Sequence, residues 1–143
     1  MTGEIDDRLT ALNIELPDAP APAANYVPFV LSGNLVFVSG QVPWVGGERN
    51  FVGKVGIDYT VEEGQEAART VALNIIAQVK AACDGDLDRV VRCIKLGGFV
   101  NCPDNFHQQP QVINGASDLM VDVFGDAGRH SRFAVGAPSL PFN

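Results

Sequence analysis

Cysteine and histidine are scarce in this 143-residue chain. The three cysteines, Cys83, Cys93 and Cys102, make no Cys-x-x-Cys spacing, and only His107 and His130 accompany them. So small and scattered a set matches neither a disulfide framework nor a metal-site pattern, so the thiols are read as reduced and mostly structural. Cys102, in "VNCPDN", follows a strand pattern, but nothing beside it in sequence would activate it as a nucleophile. No Lys/Arg run of useful length occurs. Ten basic against seventeen acidic residues leave a net charge of -7, which opposes sequence-independent binding to nucleic acid. No apolar run approaches a membrane span. The start, "MTGEIDDRLT", is acidic and polar, unlike a signal or transit peptide. The expectation is a cytoplasmic protein with no membrane partner. Cofactor motifs are absent too. "GERNFVGKV" fails as a phosphate loop on its spacing and on Val55, and "VSGQV" lacks the glycine of a hydrolase elbow. No cofactor and no metal are expected.

The length suggests one domain, 1–143, large enough to bury roughly two thirds of its unfolded surface without a staple. Residues 3–14 read as a short helix with Ile5, Leu9 and Leu12 at helical spacing, within an N-terminal extension over 1–16. "PDAPAPAAN", 17–25, reads as an extended linker. "YVPFVLSGNLVFVSGQVP" predicts a β-hairpin that turns at Ser32-Gly33-Asn34, its returning strand alternating from Leu35 to Val42. A second turn at "VGGERN" leads to an extended piece near Phe51. Thr60 and Glu63 form a capping box. The helix after it carries Ala68, Val71, Ala72, Ile75, Ile76 and Val79 as its apolar stripe and stops at Asp84-Gly85-Asp86. "LDRVVRCIKLGGFVN" predicts a strand, with a bulge or close backbone approach at Gly97-Gly98. A second long helix is expected over about 109–124, with Pro110 in its first turn, Gly125 as its stop, and Val112, Ala116, Leu119, Met120 and Val123 inward. The order is strand pair, helix, strand, helix, strand. That is an α+β fold, with two long helices packed on one face of a mixed sheet.

The last strand pattern, "GRHSRFAVG", raises a chemical question. Arginine is rarely buried without a partner, yet Arg132 shares a strand face with His130, Ala134 and Gly136. The small neighbours imply a hollow beside a fixed guanidinium fork, a shape suited to a carboxylate. The competing reading pairs Arg132 with a carboxylate of the protein itself, such as an interface salt bridge. His130 is read as a partly exposed histidine rather than a general base, Asn114 as a structural hydrogen-bonding residue, and Asp118 and Asp122 as a solvated helix face.

Four stretches, "NYVPFVLSGNLVFVSGQVP", "GKVGIDYTVEEGQEAARTVALNI", "DRVVRCIKLGGFVN" and "RHSRFAVGAPSLP", resemble in order the Rid/YjgF family of reactive-intermediate deaminases, once labelled L-PSP endoribonucleases. The resemblance runs from about Asn25 to Asn143. It implies a chorismate-mutase-like α+β subunit assembled as a homotrimer, with helices outside and clefts between subunits. It implies that Arg132 grips a substrate carboxylate, that Tyr26 lines the same cleft from another subunit, that Ser39 and Gly40 face the ligand, and that the Ala134 N–H supports the carboxylate. Two departures stand out. The family carries a further strand after "LPFN" with an acidic residue for the cleft, whereas this sequence stops at Asn143. Ser117 stands where many members have a tyrosine, which implies a wider or differently shaped cleft. The resemblance thus implies a metal-free hydrolytic deaminase of small 2-imino or 2-enamino acids. The alternatives are a non-catalytic trimer that binds a small carboxylate metabolite and, against the acidic charge, an endoribonuclease.

Overall fold

The capping box marks the start of the longest element. In the computed structural model, which describes residues 3–19 and 24–142, helix α2 spans Val61–Ala82. Thr60 Oγ1 accepts the Glu63 N–H at 3.2 Å, and Glu63 Oε2 accepts the Thr60 N–H at 2.7 Å, which satisfies two donors that every helix start leaves open. Helix α3 spans Gln109–Phe124, with Pro110 in its first turn and Gly125, at φ 63°, as its stop. The two helices pack backbone to backbone. A Cβ on Gly115 would stand 2.1 Å from the Gln65 carbonyl oxygen, so only glycine permits this approach. Ala68, Ala72 and Ile76 of α2 meet Ala116, Leu119, Met120 and Val123 of α3 in the main core.

Helix α1 (Glu4–Ala11) closes that core with Ile5 and Leu9. Its first turn is capped from far along the chain: the Asp88 carboxylate accepts the N–H groups of Glu4 and Ile5, each at 2.9 Å. Arg8 Nη1 donates to the Val123 carbonyl at 3.0 Å and ties α1 to the end of α3. Leu12, expected in the apolar stripe, instead caps the helix and is exposed. Part of the predicted linker, residues 20–23, lies outside the described residues, and so does Asn143.

Three two-stranded ladders complete the chain. Strands β1 (Phe29–Ser32) and β2 (Leu35–Val38) form the expected antiparallel hairpin. A shorter one joins β3 (Trp44–Val45) to β4 (Glu48–Arg49). Strands β5 (Lys95–Asn101) and β6 (Ser131–Ala137) pair in parallel, with Leu96 opposite Arg132 and Gly98 opposite Ala134. The first hairpin packs on α2, and the parallel pair packs on α3. Among the described residues no ladder joins the two, so the single mixed sheet expected from the sequence is two separate pieces.

Both strand predictions on either side of α2 ran too long. The β2 strand stops at Val38 because a buried side chain claims the next stretch of backbone: Asn74 Nδ2 donates to the Val42 and Trp44 carbonyls at 3.1 and 3.0 Å. Strand β5 starts at Lys95, since Leu87–Arg89 folds into a 3₁₀ turn whose N-cap is Asp86. That turn is what brings Asp88 to α1. Gly97 and Gly98 are a close approach and not a bulge. Register is unbroken across them, and Cβ atoms there would meet the Phe133 ring and Ile113 at 2.5 and 2.6 Å. No helix among the described residues is long and apolar enough to cross a membrane.

Candidate active site around Arg132

Strand β6 lays Arg132 over α3, and three groups of that helix meet its guanidinium. Nη1 donates to Asn114 Oδ1 at 2.8 Å and to Ser117 Oγ at 3.1 Å, and Nη2 donates to the Pro110 carbonyl at 3.4 Å. Residues 110, 114 and 117 fall on one helical face by their spacing. His130, two residues before Arg132, completes the cluster. Its Nε2 lies 2.9 Å from Ser117 Oγ and its Nδ1 lies 2.6 Å from the Gly128 carbonyl oxygen. A carbonyl only accepts, so Nδ1 carries the proton in that bond. In the neutral ring Nε2 is then an acceptor, and the Ser117 hydroxyl donates to it while its oxygen accepts from Arg132.

Every acceptor on this guanidinium is neutral. Among the described residues no carboxylate lies within ion-pair reach of Arg132, whereas Arg8, Arg89 and Arg129 each have an acidic partner. No protein salt bridge holds Arg132 among the described residues of one chain. A guanidinium has five N–H donors. Both on Nη1 are engaged and Nη2 makes one long bond, which leaves Nε–H and the second Nη2–H. On its Nε side a guanidinium presents Nε–H and one Nη2–H side by side in the plane, the arrangement that takes a carboxylate through two parallel bonds.

The hollow expected beside the fork is a correction. Space at Gly136 is already filled, since a Cβ there would stand 2.8 Å from Cys102 Sγ and 2.9 Å from Gln109 Nε2. Ala134 packs against a second core cluster formed by Val55, Val100, Cys102, Val112 and Ile113. These residues are small because protein atoms crowd them. An open hollow of about 320 Å³ does lie at the far end of β6, lined by Cys102, Asp104, His107, Gln109 and Gly136 among others. Arg132 does not line it.

Tyr26, Ser39 and Gly40 gather elsewhere, at the open end of the first hairpin. Ser39 is pinned to the approach to β1: its N–H donates to the Pro28 carbonyl at 2.9 Å and its Oγ donates to the Val27 carbonyl at 2.7 Å. Tyr26 is half exposed. Open space surrounds Gly40 where a side chain would be. No hydrogen bond joins this group to Arg132 among the described residues. The cysteines are all free thiols, and burial pushes Cys83 and Cys93 up from the usual thiol range. Sequence reasoning set His130 and Asn114 aside, and both are in the Arg132 cluster. The signal was present in the strand alternation, which put His130 on the arginine's face, and in the helical spacing of Asn114 and Ser117.

Residues 6–143 match the family model described as "YjgF/chorismate_mutase-like, putative endoribonuclease". Protein TCP17 of Trypanosoma cruzi is 51% identical over 144 residues, which cover 99% of this chain and 88% of that protein. Atu1372 from Agrobacterium tumefaciens, of unknown function, is 52% identical, with a TM-score of 0.89 over 97% of this chain and 86% of its own. A Shewanella oneidensis protein described as a "putative endoribonuclease" is 40% identical, with a TM-score of 0.94 over 99% of this chain and 93% of its own. Motifs, element order and a match over nearly the whole length agree, and the chain belongs to the YjgF/chorismate-mutase-like family.

Proposed function

We propose that the protein is a metal-free hydrolytic deaminase that converts small 2-imino or 2-enamino acids into 2-keto acids and ammonia, in clefts between the subunits of a homotrimer. The observation that carries this reading is the Arg132 fork, fixed by neutral acceptors and without a carboxylate of its own. The substrate carboxylate takes the open edge, supported by the Ala134 N–H. Tyr26 and the Ser39-Gly40 turn come from a neighbouring subunit and position a water and the imine nitrogen. Water adds to the C=N carbon and gives one proton to nitrogen to form a carbinolamine; the hydroxyl proton then passes to nitrogen as the C–N bond breaks, which releases ammonia and leaves a carbonyl. Chemistry this facile needs mainly orientation and modest proton transfer. Assembly is supported by the apolar side chains that the strands leave in solvent, Val30, Phe37 and Phe99 among them. With a net charge of -7, RNA is expected to bind weakly at physiological salt.

The test is paired. An imine generated in situ by an amino-acid oxidase is offered to wild type, Arg132→Lys and Arg132→Ala, and the same samples are unfolded thermally. Lysine keeps the charge and loses the fork, so both variants should lose most hydrolysis while melting like wild type. Stability lost along with activity would sink the carboxylate reading. One observation favours a second reading, a non-catalytic binder of a small carboxylate: no acidic side chain stands beside Arg132 among the described residues to move a proton. A wild type that binds a 2-keto acid at Arg132 yet hydrolyses no imino acid would decide for it.

A further inference from the structure

A guanidinium on a long flexible stem aims only as well as its anchors hold it. Arg132 has three, and two of these are ordinary. Asn114 is exposed, and the bond to the Pro110 carbonyl is long at 3.4 Å. The third differs because it does not end at its first partner. Gly128 O accepts from His130 Nδ1, His130 Nε2 accepts from Ser117 Oγ, and Ser117 Oγ accepts from Arg132 Nη1. The chain runs from a buried backbone carbonyl to the arginine. Each link sets the direction of the next. The Gly128 carbonyl fixes the tautomer of the ring. The tautomer makes Nε2 an acceptor and so fixes the hydroxyl rotor. The rotor turns an oxygen lone pair to Nη1. A hydroxyl without the histidine could as readily donate toward Asn114 Oδ1 or water, and would then hold Nη1 no better than solvent does.

We propose that Ser117 and His130 are positioning residues: a relay anchored on the Gly128 carbonyl that fixes the plane of the Arg132 guanidinium, so that its Nε–H and Nη2–H edge faces a ligand carboxylate ready-aimed. The part played by the carboxylate rests on the function proposed above. Neither residue has to touch the substrate. Their contribution is orientational: a fork held in one plane loses less freedom when it binds. A serine at position 117 suits this task, since its short side chain reaches both Arg132 and the His130 ring.

The experiment measures binding of pyruvate, the smallest 2-keto acid, by calorimetry to wild type, Ser117→Ala, Ser117→Thr, His130→Ala, the Ser117→Ala/His130→Ala double variant and Arg132→Ala. Side-chain ¹⁵N NMR of the Arg132 guanidinium is recorded on each. Losing a hydrogen bond to a charged group corresponds to about tenfold in affinity. Ser117→Ala and His130→Ala should each weaken pyruvate by about that factor at unchanged unfolding temperature, and Ser117→Thr should bind as wild type does. The double variant should be no weaker than either single one, since both cut the same chain. In hydrolysis the loss should fall on KM and spare kcat. Among the described residues His130 makes no hydrogen bond to Arg132, so broadening of the Nη1 signals in His130→Ala is the relay's own mark. Two results overturn the proposal: His130→Ala binding as wild type does, or losses that multiply in the double variant. If wild type does not bind pyruvate, or Arg132→Ala binds it as well as wild type, the carboxylate reading falls separately. The relay is then decided by the NMR alone: Nη1 signals broadened in His130→Ala uphold it, and unchanged signals sink it.

Discussion

In the helical layer Ala72, Ile76, Leu119 and Val123 are shut off from solvent, whereas in the strand layer Val30, Phe37 and Phe99 stand more than half exposed. Nothing in the local sequence hints at that difference, because the strands are as apolar as the helices. It arises from layering. Helices α2 and α3 bury their stripes against each other and against α1, so each apolar side chain there has a partner within the same chain. Among the described residues the strands have one face toward the helices and leave the other in solvent. A structure that finishes one layer and leaves the next uncovered fits a subunit whose second layer is completed by another copy. The proposed site sits at this boundary. Arg132 is held by α3 on the helix-facing side of β6, opposite the face that carries Phe99 and Phe133.

The sharpest way to break this contrast is to put a charge on the uncovered face. Phe37→Asp and Phe99→Asp should leave each chain folded and abolish its association. A central aromatic in an interface can be worth on the order of 4 kcal/mol when lost. Light scattering and sedimentation on wild type and both variants check it. A wild type that stays monomeric at micromolar concentration would remove the partner copy, and with it the shared cleft.

Smaller in expected size is a pair of glycine replacements, one in each layer. Gly115→Ala drives a methyl group toward the Gln65 carbonyl oxygen, 2.1 Å away if nothing moves. Helices α2 and α3 must separate, at a cost of about 2–3 kcal/mol. Gly40→Ala meets nothing within 4 Å and should change stability by no more than about 0.5 kcal/mol. Denaturant unfolding of the two variants side by side gives the comparison directly. Equal losses would mean that the hairpin end is as tightly built as the helix pair.

The two layers also differed in how far local sequence announced them. Helix α3 falls on 109–124 as its proline, stripe and stop glycine indicated, and α2 begins at its capping box. These signals are local, and the apolar period of a helix states which face is buried. The strands were read too long on both sides of α2. Residues 39–42 alternate well enough to continue β2, but Asn74, more than thirty positions away, takes the Val42 and Trp44 carbonyls. Val90 and Val91 favour a strand by composition, but the turn at 87–89 is drawn to the start of α1 by Asp88. Each override is one polar side chain making two hydrogen bonds across a long separation, which no window of sequence displays. The site divides the same way. Arg132 was legible as a cation out of place in a strand. Its anchors Asn114 and Ser117 come from another element, and the role of His130 appears only once both ring nitrogens have partners. Tyr26, Ser39 and Gly40 form one local group, and their meeting with Arg132 belongs to the proposed assembly.

A modest effect is expected at the helix start that the sequence marked most clearly. Thr60→Ala removes the acceptor for the Glu63 N–H and half of the capping box. The loss should be about 1 kcal/mol. Thermal unfolding measures it, and association should be untouched, since the change lies in the layer that the chain completes alone. A variant that also fell apart into monomers would show that α2 and the uncovered face are coupled after all.

Only a small effect on stability should come from the residue with the largest expected role in binding. Arg132→Ala removes a cation from the border between the layers, and the outcome for stability depends on what it leaves behind. Had Arg132 been half of a buried ion pair, its loss would strand a carboxylate, at a cost of about 3–5 kcal/mol. Its partners are instead an exposed carboxamide, a serine hydroxyl and a carbonyl. Asn114 and the Pro110 carbonyl can turn to water, and Ser117 keeps its bond to His130. What remains is the lost packing of the arginine stem. The expected cost is therefore about 1 kcal/mol or less, read by denaturant unfolding at fixed protein concentration so that any change in association is separated. A loss above about 3 kcal/mol would mean that Arg132 belongs to the finished layer as a structural residue, and the open edge of its fork would need another explanation.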